Sequence, residues 1–284
     1  RFFKQKILEH GIKQDVLLNP AVDKLFIRDD FCGLEEACEI ISREIQDSCV
    51  VDDTVKDSYS KTKYKSGVTA VLARQADTAG WRLIGLEEGD TTELLFGFAA
   101  DIGTTTVVAQ LINLRTAAVV ATASIGNPQT KYGADVISRI RHAESDTGMD
   151  TLHQSIISCL NDLFKDAARE AEIDTNMVYE AVIAGNTTMN HLFLKYPVHQ
   201  LGQSPYHAYS LKPTHQNAGK LGLRMNNRGI VYTLPNIAGF VGSDIVAAAL
   251  ACGMDTTNTI TLLVDIGTNG EIVLGTQEKL LAAS

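Results

Sequence analysis

The spacing of apolar residues changes character along the chain, and each change marks an element. Leu34, Ala37, Cys38, Ile41 and Ile45 recur at helical spacing, which predicts a helix over Leu34 to Ile45. Val68 to Leu72 and Trp81 to Leu86 read as short strands, separated by the turn signal Ala79-Gly80. Between helix and strands, Asp52 to Lys65 is polar and weakly patterned, as a loop would be. Phe96 opens a different regime. Gly97 to Asp101 and Thr105 to Ile112 are β-branched and apolar around Gly103, and Ala118 to Ser124 reads as a third strand. Helices are predicted over Ala134 to Ala143 and over Leu152 to Ala171. In the second, Leu152, Ile156, Cys159, Leu160, Leu163 and Ala167 form one stripe. Val178 to Ala184 is a buried strand running into Gly185-Asn186, and a helix follows from Thr187 to Leu194. Tyr196 to Gly229, with Pro197, Pro205 and Pro213, is a loop-rich excursion, readable equally as a partner-docking surface or a disordered loop. An alanine-rich helix covers Ser243 to Cys252, and Thr261 to Asp265 with Glu271 to Gly275 forms a hairpin. Strands alternating with helices imply an α/β layered architecture.

Composition narrows the class. The 284 residues are 45% apolar, enough for one large domain or two to three smaller ones. Twenty-five basic against 34 acidic residues give a net charge of -9, and no basic stripe is visible; a nucleic-acid partner and an anionic membrane surface are not expected. No apolar run approaches the roughly 20 residues that span a bilayer. The start, Arg1-Phe2-Phe3-Lys4, has neither Met nor the pattern of a signal peptide, so a cytoplasmic piece of something longer is expected. The five cysteines, Cys32, Cys38, Cys49, Cys159 and Cys252, form no C-x2-C pair and read as reduced, mostly buried thiols. The seven histidines show no H-x3-H or H-E-x2-H spacing, and His191 reads as packed or surface-lying rather than as a ligand.

The informative feature is a repeat. Ala100-Asp101-Ile102-Gly103-Thr104-Thr105-Thr106 matches Val264-Asp265-Ile266-Gly267-Thr268-Asn269-Gly270, each following one strand and leading into another. These residue types suit Mg-ATP. Glycine lets backbone approach a phosphate, turn N–H groups and threonine hydroxyls donate to it, and a strand-end Asp offers the hard oxygen that Mg2+ prefers. Asp101 and Asp265 are therefore the expected metal-binding and catalytic carboxylates. Gly103, Thr104, Thr105, Thr106, Gly267, Thr268, Asn269 and Gly270 are the expected phosphate-binding residues. Two such turns facing each other would hold the β- and γ-phosphates from both sides. The competing reading is two ordinary hairpin turns.

Two more segments fit the same cleft. Gly185, Asn186 and Thr187 join a strand to a helix N-terminus, where N–H donors meet anions; a plain helix cap at Asn186 or Thr187 is the bland alternative. Gly239-Phe240-Val241-Gly242-Ser243-Asp244 leads into the alanine-rich helix, with Ser243 readable as its cap. Neither a P-loop nor a G-x-G-x-x-G motif occurs.

The two turns, together with Asn127-Pro128-Gln129, Tyr132-Gly133-Ala134-Asp135-Val136-Ile137-Ser138-Arg139-Ile140 and Gly185-Asn186-Thr187-Thr188-Met189, resemble the ATP-dependent reductive activators of corrinoid proteins. The resemblance is most specific from Gly97 to Ser284. It implies an α/β fold: an actin-like (ribonuclease H-like) nucleotide-binding unit preceded by a small α/β linker module. On that reading 1–95 is the linker, 96–257 the first actin-like half and 258–284 the start of the second. It also implies Mg-ATP as ligand, a corrinoid protein or corrinoid methyltransferase as partner, and ATP-driven return of Co(II) corrinoid to Co(I). The family's [2Fe-2S] cluster belongs to an N-terminal ferredoxin domain. Cys32 and Cys38, spaced C-x5-C, do not match its C-x4-C-x2-C pattern, so a cluster is expected only in that missing domain. Activity of the fragment alone is not expected, and a homodimer is the self-assembly to test. Two rivals stand beside this reading: an actin-fold small-molecule kinase, with Asp135 or Asp244 as its base, and a non-catalytic scaffold.

Overall fold

The computed structural model describes residues 18–53, 55–56, 63–64, 67–74 and 80–284. The start Arg1-Phe2-Phe3-Lys4, the turn residue Ala79 and much of the Asp52 to Lys65 stretch lie outside them.

The N-terminal module comprises β1 (Val22–Ile27), β2 (Phe31–Cys32), α1 (Leu34–Ile45), β3 (Cys49–Val51), β4 (Lys63–Tyr64), β5 (Val68–Ala73) and β6 (Trp81–Glu88). Four of these strands form a sheet in the order β1-β5-β6-β3, while β2 pairs with β4 inside the stretch read as loop. The predicted stripe of α1 is its buried face: Leu34, Ala37, Cys38 and Ile41 pack with Phe31, Leu72, Trp81 and Leu83.

The larger unit begins with a meander, β7 (Phe96–Ile102), β8 (Thr106–Asn113) and β9 (Ala118–Gly126). Then come α2 (Val136–Ala143), α3 (Gly148–Glu170), β10 (Val178–Gly185), α4 (Thr187–Leu194), β11 (Thr214–Asn217), α5 (Ala218–Leu221), β12 (Ile230–Thr233) and α6 (Ser243–Ala251). Its six-stranded sheet runs β11-β12-β10-β7-β8-β9, with β10 parallel to both β7 and β12. Phe96, Phe98, Ala100 and Ile102 alternate inward on β7, and the expected stripe of α3 covers them. The rings of Phe98 and Phe164 stack with centroids 3.9 Å apart. A last antiparallel sheet holds β13 (Thr261–Ile266), β14 (Gly270–Thr276) and β15 (Lys279–Ala283), and meets α6 through Val241, Ile245, Met254 and Val273.

Module and larger unit are joined by a buried cation. The Lys24 ammonium donates to Glu87 Oε2 and to the Leu94 carbonyl, each at 2.7 Å, and Tyr179 on β10 donates to Glu87 Oε1 at 2.8 Å. Burial lowers the Lys24 pKa, with Glu87 opposing that shift.

Several predicted boundaries move for local reasons. α2 starts at Val136 rather than Ala134, because Asp135 caps it: its carboxylate accepts from Ser138 N, and Ser138 Oγ accepts from Asp135 N. The Tyr196 to Gly229 excursion is not all loop, since β11 inside it adds an antiparallel edge to the sheet beside β12. The C-terminal hairpin gains a third strand, β15, whose Lys279–Ala283 run is too short and too exposed to announce itself. Ser243 does not cap α6; Gly242 does, and the buried Ser243 hydroxyl instead bonds Gly185 N and O. Cys38 and Cys159 are buried as expected, whereas Cys32 and Cys252 are exposed.

Candidate active site

The two repeat turns face each other. Thr105 Oγ1 and Thr268 Oγ1, 163 residues apart, are 2.7 Å from one another at the mouth of a cleft of about 520 Å3. Asp101, Gly103, Thr104, Thr105, Thr106, Asn186, Asp265, Gly267, Thr268 and Asn269 line it, joined by Asp244, Glu271, Val108 and Ile266. Gly185, Thr187 and Gly270 are not among the lining residues. A larger cavity of about 920 Å3, between β9 and α3, holds none of these residues.

The first turn is anchored from the protein side. Asn127 Nδ2 donates to the Gly103 carbonyl at 2.8 Å, Arg139 Nη2 to the Thr104 carbonyl at 2.5 Å, and Asn127 N to the Thr105 carbonyl at 2.8 Å. Arg139 is fully buried. Its remaining donors meet Gly133 O, Gln129 Oε1 and Met189 Sδ, with no carboxylate within ion-pair reach among the described residues. Burial lowers its pKa to about 10. A side chain at position 103 would place Cβ 2.5 Å from the Thr106 carbonyl oxygen, so only glycine fits. Gly267 is different: Cβ there would meet nothing nearer than 3.6 Å, so packing does not require its glycine.

The middle segment supports the turn and the cleft at once. Asn186 caps α4, its Oδ1 accepting from Met189 N at 3.0 Å, while its Nδ2 donates to Thr104 Oγ1 at 3.0 Å. The capping reading of Asn186 is the observed one, and the residue also lines the cleft. Thr187 spends its hydroxyl on the Ala238 carbonyl at 2.6 Å, behind the cleft. Gly185 lies against β7, and Gly242 against Asn186: a Cβ on Gly242 would come 2.3 Å from Asn186 Cα. This contact brings the start of α6, and with it Asp244, to the cleft.

The floor is acidic. Asp101 is open to the cleft on one side and enclosed by protein on the others. That enclosure, followed by Asp244 and Asp265, pushes its carboxyl up to about 7. Burial also raises Asp244, and with the two aspartates raises Glu271. The four carboxylates Asp101, Asp244, Asp265 and Glu271 form a donor set suited to a hard divalent cation. Yet no three Asp, Glu, His or Cys side chains among the described residues converge tightly enough to cage an ion alone. One or two of these carboxylates could hold Mg2+, with water completing its shell. Asp135 is exposed and occupied by its cap, away from the cleft; Asp244 is within it.

Sequence reasoning gave no role to Arg139, Asn127 or Glu271. Glu271 directly follows the second turn, which was a usable signal. The other two lie in segments that carry the family resemblance, but their contacts to the turn span 24 and 35 residues, and spacing alone assigned them no role.

Residues 96–257 match the family model described as the RACo middle region. Over 191 residues, 67% of this chain and 32% of the relative, the sequence is 35% identical to the corrinoid activation enzyme RamQ of Eubacterium limosum. It is 24% identical over 200 residues to the [Co(II) methylated amine-specific corrinoid protein] reductase of Methanosarcina barkeri, covering 67% of this chain and 36% of that one. The solved structure of a reductive activator for a corrinoid, iron-sulfur protein superposes with a TM-score of 0.83 at 30% identity, over 96% of this chain and 45% of that one. The expected actin-like α/β fold is the observed one. The chain spans about a third of the length of the curated relatives it matches.

Proposed function

This chain belongs to the RACo middle-region family of corrinoid reductive activators, and from that premise we propose that it is part of an ATP-dependent activator returning Co(II) corrinoid proteins to Co(I). The region would bind the phosphates of Mg-ATP and the corrinoid protein or methyltransferase. The observation that carries this reading is the apposition of the two Asp-Ile-Gly-Thr turns, joined through Thr105 and Thr268 above an acidic floor.

Each residue then has a physical task. Asn127 and Arg139 hold three successive turn carbonyls from behind, which leaves the N–H side of Gly103 to Thr105 for phosphate oxygens. Protein packing does not require the glycine at 267, and on this reading a phosphate would approach its backbone. Asp101 and Asp265 would hold Mg2+, which supplies charge neutralisation between the phosphates and the acidic floor. One turn belongs to each half, so losing or shortening the phosphate chain changes what joins them, and the angle between them can follow. ATP acts here as a conformational effector, and electron transfer would rest on a cluster outside these residues.

Melting of the whole protein with and without Mg-ATP tests the reading, together with Asp101→Asn and Asp265→Asn. A nucleotide-dependent shift that both substitutions remove supports it; no shift in the parent protein sinks it. The kinase alternative keeps one observation, Asp244 in the cleft with a raised pKa as a base would need. Phosphate transfer from ATP to a small hydroxylated acceptor would favour it.

A further inference from the structure

Outside the cleft, two thiols from different elements meet. Cys38 lies on the buried face of α1 and Cys49 begins β3, and their Sγ atoms are 3.5 Å apart. Each is placed independently of the other. Cys38 is set by the packing of Leu34, Ala37 and Ile41, and Cys49 by parallel pairing opposite Trp81 on β6. The Cys49 N–H also donates to Ser42 Oγ of α1 at 2.9 Å, which ties the strand to the helix beside the sulfurs. A cavity of about 590 Å3, with Ser42 and Lys56 in its wall, opens onto both thiols. A disulfide is about 2.05 Å long, so bonding requires the sulfurs to approach by roughly 1.5 Å.

We propose that Cys38 and Cys49 form a dithiol–disulfide modification site, oxidised by exchange with a low-molecular-weight disulfide. Cys49, the less buried of the two, is the attacking group. The contact with Cys38 lowers its pKa, while the same contact raises that of Cys38. The Cys49 thiolate attacks one sulfur of the small disulfide and expels a thiolate, leaving a mixed disulfide. The Cys38 sulfur, already in contact, attacks Cys49 Sγ and expels the second thiolate. The two protein thiols lose two electrons and two protons, and the small disulfide leaves as two thiols. Cys32 and Cys252 are exposed and have no such partner thiol among the described residues, so they would stop at the mixed disulfide.

The test uses the whole protein with Cys32→Ser and Cys252→Ser, incubated with oxidised glutathione, then alkylated under denaturing conditions and mapped by peptide mass spectrometry. The expected product is a Cys38–Cys49 cross-linked peptide pair, two hydrogens lighter than the thiol form and reversed by dithiothreitol, with a raised melting temperature. Adding Cys38→Ser should convert the product to a persistent glutathione adduct on Cys49. The proposal is overturned if the parent protein retains an unresolved adduct on Cys49, or if both thiols remain fully alkylatable.

Discussion

The guanidinium of Arg139, buried within α2, donates from Nη2 to the main-chain carbonyl of Thr104 at 2.5 Å. A helix therefore holds the first cleft turn through one side chain, and the same side chain binds Gly133 at its own entrance.

Arg139→Lys keeps the charge but removes the fork that reaches both carbonyls. It is expected to cost about 1 to 3 kcal/mol, the range for leaving a buried carbonyl unpaired, and to weaken Mg-ATP binding. Urea denaturation and nucleotide-dependent melting of the whole protein check both effects. An unchanged midpoint and an unchanged nucleotide shift would mean that the turn holds its shape without the arginine.

Asp101→Asn should separate stability from binding. At pH 8 the native carboxylate is ionised among Asp244 and Asp265, against its raised pKa, so the metal-free variant should melt at or above the parent protein. With Mg-ATP at a hundredfold over its Kd, the parent gains about 2.7 kcal/mol and the variant should gain almost nothing. A variant that keeps the full gain would remove Asp101 from the metal site.

Gly103→Ala and Gly242→Ala test two backbone approaches. Added methyls would lie 2.5 Å from the Thr106 carbonyl oxygen and 2.3 Å from Asn186 Cα. Each is expected to destabilise by about 1 to 3 kcal/mol. Gly267→Ala, whose added methyl would meet only ordinary contacts at 3.6 Å and beyond, should leave stability within about 0.5 kcal/mol while weakening nucleotide binding. Equal losses at all three glycines would contradict the asymmetry between the turns.

His191 is buried and neutral in its geometry: Nδ1 meets the Thr187 carbonyl at 2.7 Å as donor, and Nε2 accepts from Ser210 N at 3.3 Å. Burial lowers its pKa below the usual 6.5. The unfolded chain therefore binds this proton more readily. Its contribution to stability is complete above about pH 6.5 and declines as pH falls toward the folded pKa. His191→Gln should flatten that part of the stability–pH curve, as measured by chemical denaturation between pH 5 and 7.5. An identical slope in both proteins would assign the pH dependence to other groups.

The sequence by itself determined what depends on neighbours close along the chain. α1 spans the residues its apolar spacing predicted, the α3 stripe is the buried face, and both Asp-Ile-Gly-Thr copies sit on strand–turn–strand units. Periodicity and turn chemistry are local, so they can be read locally. The tertiary structure alone decided that Thr105 and Thr268 touch, that Asp244 enters the cleft while Asp135 only caps a helix, and that Thr187 turns away from it. It also decided that Arg139 and Asn127 carry the first turn. Those relationships depend on how separate elements pack, as where Gly242 lets one backbone turn lie on another. Residue spacing does not encode that depth of approach. The strand Thr214–Asn217 was hidden for the same reason: four polar residues become a strand only because β12 offers them an edge to pair with.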